Sequence, residues 1–591
     1  MRMLIGLILF WISTFGYLFI FKKKTKIPYE LLLPILFSLI GIIIFLAGIF
    51  NMLKEFSVLI CFGGIFFFAY NFLKKEINFN EIKSTKFILL MFLFSYITII
   101  CSNMHLLNFD NFTHWGLIVK NMFLRNSLPN FETTVIGYTT YQPGSACFIY
   151  YLGFLLGKTE ASMIIAQNYL VLAYLSSVFV FFKQSLFDKK KNIMYLLFIL
   201  LYIFILFINI MMYDLLVDTL IGVMLIASFA VLYYFRNDLK KAFIYNLPIL
   251  VFLFLVKNIG IVLVAFSCLG LVYIGYRNKE FKKGFLYALL SGIISVAFFY
   301  IWTKHVTYVF GEISLYSRHT LSFKNIINEL HRKGLEQILE FCTIYYNNFV
   351  NIRDNLPNKY MIVINLILIF SMIIYKDKRK NIMYLLLVTN IIYLIYYIIL
   401  GLMYLLSMPW EEAIYIAGFN RYMLTIIIAI IGLIFICFVN HIMAEENLTK
   451  QSMLVIGVSI VSIIFLGYNY GKVDFKVLIG DINYEKSIAY KYDNILNNNM
   501  FSANNDRYYY IYAPDTYSKE GGYLYFMSKY KLNTSNFMIV KNIDDFNTEE
   551  IDENLVKTII VFDEDEKIKD YIKNNNYKNV DNFYIEENYS N

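Results

Sequence analysis

Residues 243–276 read FIYNLPILVFLFLVKNIGIVLVAFSCLGLVYIGY, and their only charge is Lys257. Apolar runs at 243–256 and 258–276 lie on either side of it, each counted as a span of its own. A lysine held in lipid is costly. Two spans meeting in a hairpin, with Lys257 at its tip, avoid that cost. The flanks agree. Arg236, Lys240 and Lys241 precede the stretch, and Arg277, Lys279, Lys282 and Lys283 follow it. Basic loops stay in the cytoplasm, so both flanks are expected inside and Lys257 outside.

The rest of the chain follows the same pattern. Of 591 residues, 59% are hydrophobic and 16% charged, and the mean hydropathy is +0.57. A soluble fold carries about 25% charge, so a soluble enzyme, a disordered chain and a nucleic-acid binder are all excluded. Apolar runs occupy 3–21, 31–51, 57–73, 87–104, 160–183, 193–212, 219–235, 243–256, 258–276, 284–303, 360–376, 382–405, 422–444 and 452–470, which predicts 14 spans. The first run is read as a span and not a signal peptide, because Lys22, Lys23 and Lys24 follow it instead of preceding it. Alternate loops hold the lysines and arginines. The opposite side has only Arg2, Lys54, Lys257 and Arg421 in its short loops and N-terminus. The run 144–157 is too short to cross, and a crossing there would invert every later loop. It is read as re-entrant or interfacial. Residues 105–159 and 304–359 then become long outer loops.

Charge also divides the chain. Residues 471–591 hold 14 Lys/Arg and 21 Asp/Glu, a net of −7, so the first 470 residues carry +16 of the total +9. The tail reads as a small outer α/β domain, with β-rich runs at 508–512, 537–540 and 556–562 and a polar helical stretch at 518–530. No internal repeat is evident. The six cysteines show neither a metal nor a disulfide spacing. No phosphate-binding or nucleophile-elbow motif lies in a strand–helix setting.

Charges left in outer turns of so apolar a protein are the candidates for chemistry. Phe109-Asp110-Asn111-Phe112-Thr113-His114-Trp115 opens an amphipathic stretch; Asp110 there is a site residue or a helix cap. Tyr213-Asp214-Leu215-Leu216-Val217-Asp218 fills a tight outer turn. Its two carboxylates share a face if the turn is helical, and they bind a cation or a proton, or are merely solvated. Lys257 is a site residue or a snorkelling marker. Arg421, in Gly418-Phe419-Asn420-Arg421-Tyr422, is suited to phosphate or anchors the interface. His114, four residues after Asp110, shares its face if helical; a metal there is the lesser reading. Trp115, Trp302 and Trp410 fall at predicted boundaries, where an aromatic belt is the plain reading and sugar stacking the sharper one. Carboxylates able to take a proton, beside cations able to hold a phosphate, suit an anionic lipid substrate with a leaving phosphate.

This pattern resembles the GT-C superfamily of membrane glycosyltransferases, nearest to the bacterial cell-envelope type. Those enzymes use polyprenyl-phosphate-linked sugars and place a catalytic acid in the first large outer loop. Asp110 matches that position. Tyr141-Gln142-Pro143-Gly144 looks like the Tyr-Pro-Pro-Gly segment found later in that loop, with Gln142 for the first Pro. Asp214 and Asp218 fall where a second acidic position recurs, and an outer C-terminal domain is common. The resemblance implies an α-helical polytopic membrane protein of the cell membrane, with residues 1–470 as the transmembrane domain. It implies transfer of a sugar from a polyprenyl-phosphate donor to a cell-envelope glycan or lipid acceptor. Asp110 would be the general base, and of the further catalytic acids Asp214 and Asp218 one or the other would orient the acceptor or bind a divalent cation. Lys257, Arg421, His114, Tyr141 and Trp115 would bind substrate. Two rival readings are a polysaccharide polymerase or ligase using Arg318, His319, His331, Arg332 and Arg353, and a lipid-linked substrate transporter or flippase.

Overall fold

The structure is a computed structural model and describes residues 2–76, 84–130, 135–182, 189–208, 212–311, 323–444, 453–462, 475–497, 500–504, 506–547, 555–580 and 582–586. Among the described residues, ten helices are long and apolar enough to cross a membrane. Each of the 14 apolar runs contains a helix. Those in 87–104, 193–212, 219–235 and 452–470 are shorter, at Thr85–Cys101, Asn192–Ile208, Asp218–Tyr234 and Met453–Ser462. The chain is thus a helical membrane-type bundle with a small C-terminal sheet.

Sequence character sorts the helices into centre and rim. Asp218–Tyr234 is apolar on every side and buried along nearly its whole length, as an all-round hydrophobic helix must be. Glu160–Phe181 is buried over 94% of its apolar window. Phe281–Phe310 lies at the rim and leaves Phe285, Leu289, Ile293 and Tyr300 exposed. Small residues set the closest crossings. A Cβ at Gly16 would lie 1.9 Å from the Gly64 carbonyl oxygen, so the first and third helices meet backbone to backbone.

The two ends of the bundle differ. At one, which we call the lysine end, Lys23 pairs with Glu76 (2.7 Å) and Lys86 with Glu30 (3.2 Å). Lys257 lies at the other end, in the turn between Leu239–Val256 and Gly260–Arg277. The helix Gly144–Leu156 keeps both of its ends there: a Cβ on Gly144 would meet the Leu255 carbonyl, while Leu155 abuts Gly6 near the start of the first helix.

The expected outer loop 304–359 is largely helical. Phe281–Phe310 continues past residue 303, and Phe323–Val350 follows, with a break at Gly334 where φ is +66°. Its second half packs beside Arg379–Ser407, Tyr345 and Tyr397 each donating its hydroxyl to the other's carbonyl.

The C-terminal sheet has the order β2-β1-β3-β5-β4, with β1 Arg507–Tyr512, β2 Phe537–Val540, β3 Val556–Val561, β4 Tyr577–Val580 and β5 Phe583–Glu586. The first three strands are parallel; β5 and β4 are antiparallel additions that the sequence reading missed. The helix Pro514–Leu532 rests on the first loop of the bundle. Phe112 packs on Tyr523 and Tyr530, and the Tyr523 hydroxyl donates to the Leu107 carbonyl (2.8 Å). Lys120, wholly buried, gives its ammonium to the carbonyls of Tyr530 and Lys531, both at 2.9 Å.

Candidate functional site

Phe109 and Asp110 are helical, and the five residues after them, Asn111–Trp115, form a π-helix before Gly116–Arg125 begins. Single π turns are rare and gather at functional sites. The Asp110 side chain makes no cap bond, which overturns the capping alternative; its carboxylate instead accepts a hydrogen bond from Nη1 of Arg421. Arg421 stands in the first turn of Phe419–Ala444. Its Nε also lies 3.5 Å from Asp218 Oδ2, and the other oxygen of Asp218 takes the Lys257 ammonium at 2.5 Å. Asp110, Arg421, Asp218 and Lys257 therefore form one unbroken chain of alternating charge, drawn from four separate segments.

Asp214 is held differently. Residues 212–217 are not helical and Asp218 is the first residue of its helix, so the two acids do not share a helical face as expected. Asp214 accepts from Asn108 Nδ2 (3.1 Å) and Asn111 Nδ2 (3.3 Å), while Asn111 Oδ1 accepts from the Leu215 amide (3.0 Å). The asparagines on either side of Asp110 thus bind the two acidic turns together. Burial pushes the Asp214 carboxyl up to about 7, its two asparagine donors only partly opposing this. Asp110 is the open carboxylate, its side chain 34% exposed against 2% for Asp218.

Aromatic rings wall one side. The Tyr422 ring lies under both cations, 4.6 Å from Lys257 Nζ and 5.2 Å from the Arg421 guanidinium. Tyr141 meets His114 edge-on at 4.6 Å and Trp115 at 5.8 Å. His114 is buried and held down to about 3 by burial, hence neutral, and neither ring nitrogen has a hydrogen-bond partner among the described residues. The segment Tyr141-Gln142-Pro143-Gly144 docks on the hairpin tip, with Gln142 bonded to Asn258 next to Lys257. All eight sequence candidates thus lie in one neighbourhood.

Other expectations change. Trp115 and Trp302 are buried, and Trp302 donates to the Thr140 carbonyl (3.1 Å), so neither belongs to an exposed belt. Among the described residues His114 has no hydrogen-bond partner, and the one group of three whose ligand atoms lie within 4.8 Å of one another is His105, Glu160 and Asp493. Lys531 already bridges Glu160 and Asp493 at 2.9 and 2.7 Å. Of the rival set, Arg318 and His319 lie outside the described residues, and His331, Arg332 and Arg353 are exposed. Sequence reading missed Asn108, Asn258, Tyr422 and Thr425; Thr425 donates to the Asp218 carbonyl at 3.2 Å.

Comparison of the chain with family models, curated proteins and solved structures gives no match in any of the three.

Proposed function

We propose that this protein is an integral-membrane glycosyltransferase. In this reading it moves a sugar from a polyprenyl-phosphate donor to a cell-envelope glycan or lipid acceptor, with its 14 apolar segments in the cell membrane. The lysine end faces the cytoplasm, and the acidic tail domain and the charge chain face outward. The observation that carries the reading is the alternating chain of Asp110, Arg421, Asp218 and Lys257 at one end of the bundle.

The chemistry follows from those groups. Asp110 has the accessible carboxylate and takes the proton of an acceptor hydroxyl. The hydroxyl oxygen attacks the anomeric carbon, the bond from that carbon to the phosphate oxygen breaks, and the configuration inverts. The departing polyprenyl phosphate gains charge, which Arg421 and Lys257 stabilise. A guanidinium has five donors, enough to keep Asp110 and Asp218 while meeting a phosphate. Tyr141, backed by the buried rings of Trp115 and His114, offers an adjoining face for a sugar ring. A divalent cation fits less well at Asp218, because Lys257 and Arg421 already hold its two oxygens.

The test is transfer of radiolabelled sugar from polyprenyl-phosphate donors in membranes, wild type against Asp110→Asn. Asparagine keeps the shape and removes the base. Transfer should fall by about 10²–10⁴-fold with the melting temperature nearly unchanged. A variant as active as wild type would refute the assignment.

A further inference from the structure

A second feature reaches the opposite end of the helices that carry Asp218 and Arg421. A cavity of about 1920 Å³ opens among Asn192–Ile208, Asp218–Tyr234, Gly260–Arg277, Leu356–Ile374, Arg379–Ser407 and Phe419–Ala444. Its walls are apolar, with Phe204, Leu232, Phe266, Ile364 and Ile431 among them. Pockets for small ligands are about 300–1,000 Å³, so this one suits something longer. Three cations also line it: Arg236 just beyond Asp218–Tyr234, Arg277 as the last residue of Gly260–Arg277, and Lys378 in the turn before Arg379. They sit where the helices end, at the lysine end. Arg236 is about 27 Å along the bundle from Asp218, at 1.5 Å per residue, and none of Asp110, Asp214, Asp218, Lys257 and Arg421 lines the cavity.

Among the described residues neither Arg236 nor Arg277 is ion-paired. Arg236 gives Nη1 to the Tyr233 carbonyl (2.9 Å) and lies over the Tyr233 ring, 4.5 Å from its centroid. Among the described residues the Lys378 ammonium pairs with the exposed Asp377, at 4.0 Å. Two arginines without counter-charges at the mouth of an apolar cavity complement a phosphate headgroup attached to hydrocarbon chains. Basic pockets between membrane helices bind anionic lipids in this manner.

We infer that this cavity is a binding site for an anionic two-chain phospholipid drawn from the leaflet at the lysine end. Arg236, Arg277 and Lys378 meet the headgroup, and the acyl chains fill the apolar walls.

The experiment is a competition read by native mass spectrometry. The purified full-length protein is given equal amounts of phosphatidylglycerol and phosphatidylcholine with identical acyl chains. The wild type should retain phosphatidylglycerol with a preference of about tenfold or more. Arg236→Gln with Arg277→Gln should abolish most of that preference. Ser371→Phe, which projects bulk into the cavity, should lower retention of both lipids. Equal retention of the two lipids by the wild type overturns the inference, and that arm requires no variant to fold. An unchanged preference in the double variant also overturns it.

Discussion

Asp214 lies between two asparagine amides and has lost most of its water, so its carboxyl is pushed up to about 7. The sign of its effect on stability follows. Between about pH 4 and pH 7 the unfolded chain has released this proton and the folded protein still holds it. Folding therefore binds a proton, and stability falls as pH rises through that window. The loss is at most about 4 kcal/mol. Melting temperature should drop between pH 5 and pH 8 in the wild type and drop less in Asp214→Asn; equal drops would show that Asp214 is not the group responsible. Asp110, Lys257 and Arg421 were legible in the sequence because an isolated charge in an apolar run has few reasons to be there. Their supports were not. Tyr422 is one of 50 tyrosines, so nothing in the sequence marks it as the ring beneath two cations. The cap alternative for Asp110 failed because its nearest strong donor, Arg421, lies far along the chain.

Single side chains also decide where helices stop. Lys333 is buried and gives its ammonium to the carbonyls of Tyr404 (3.1 Å), Leu405 (2.7 Å) and Met408 (2.7 Å). These are orphan groups at the end of Arg379–Ser407, where the helix dipole also favours a cation. Lys333→Met should leave them unpaired and cost about 1–3 kcal/mol. Amide exchange should then speed up around residues 404–408 while the centre of that helix stays protected. Unchanged exchange there would mean that the cap contributes nothing. Helix positions were readable from apolar runs, since their lengths match what a bilayer demands. The helices inside 304–359 were not, because Phe323–Val350 mixes exposed Leu335 and Leu339 with exposed Glu336 and Glu340. Trp302 misled for a similar reason. A tryptophan near a span's end reads as a belt residue unless the carbonyl it reaches, here Thr140, is already known.

For the whole molecule, the junction between bundle and tail domain rests on buried charge. Lys531 is fully buried between Glu160 and Asp493, and although burial opposes its charge, the two carboxylates raise its pKa above the ordinary lysine value. A raised lysine stabilises fully below the unfolded pKa, so this contribution is complete at neutral pH and is lost only in strong alkali. Lys531→Ala strands two carboxylates at the junction and should cost about 3–5 kcal/mol. Limited proteolysis should then release the tail domain from the bundle sooner than in the wild type; equal resistance would place the docking strength elsewhere. The net charges of the two parts led to an expected boundary near residue 470, but they gave no hint of this contact. Lys120, Lys531 and Glu160 look like ordinary surface charges in the sequence, and only the fold buries them.

The pair Asp110–Arg421 closes across 311 residues of chain. At ribosomal rates of about 5–20 residues per second, Arg421 is made roughly 15–60 s after Asp110. Throughout that interval Asp110 lacks its guanidinium partner, and so does Asp218 once it has been made, although Lys257 follows it much sooner. The charge chain is thus completed near the end of membrane insertion, and a nascent chain halted before Phe419 carries the acids without their principal cation.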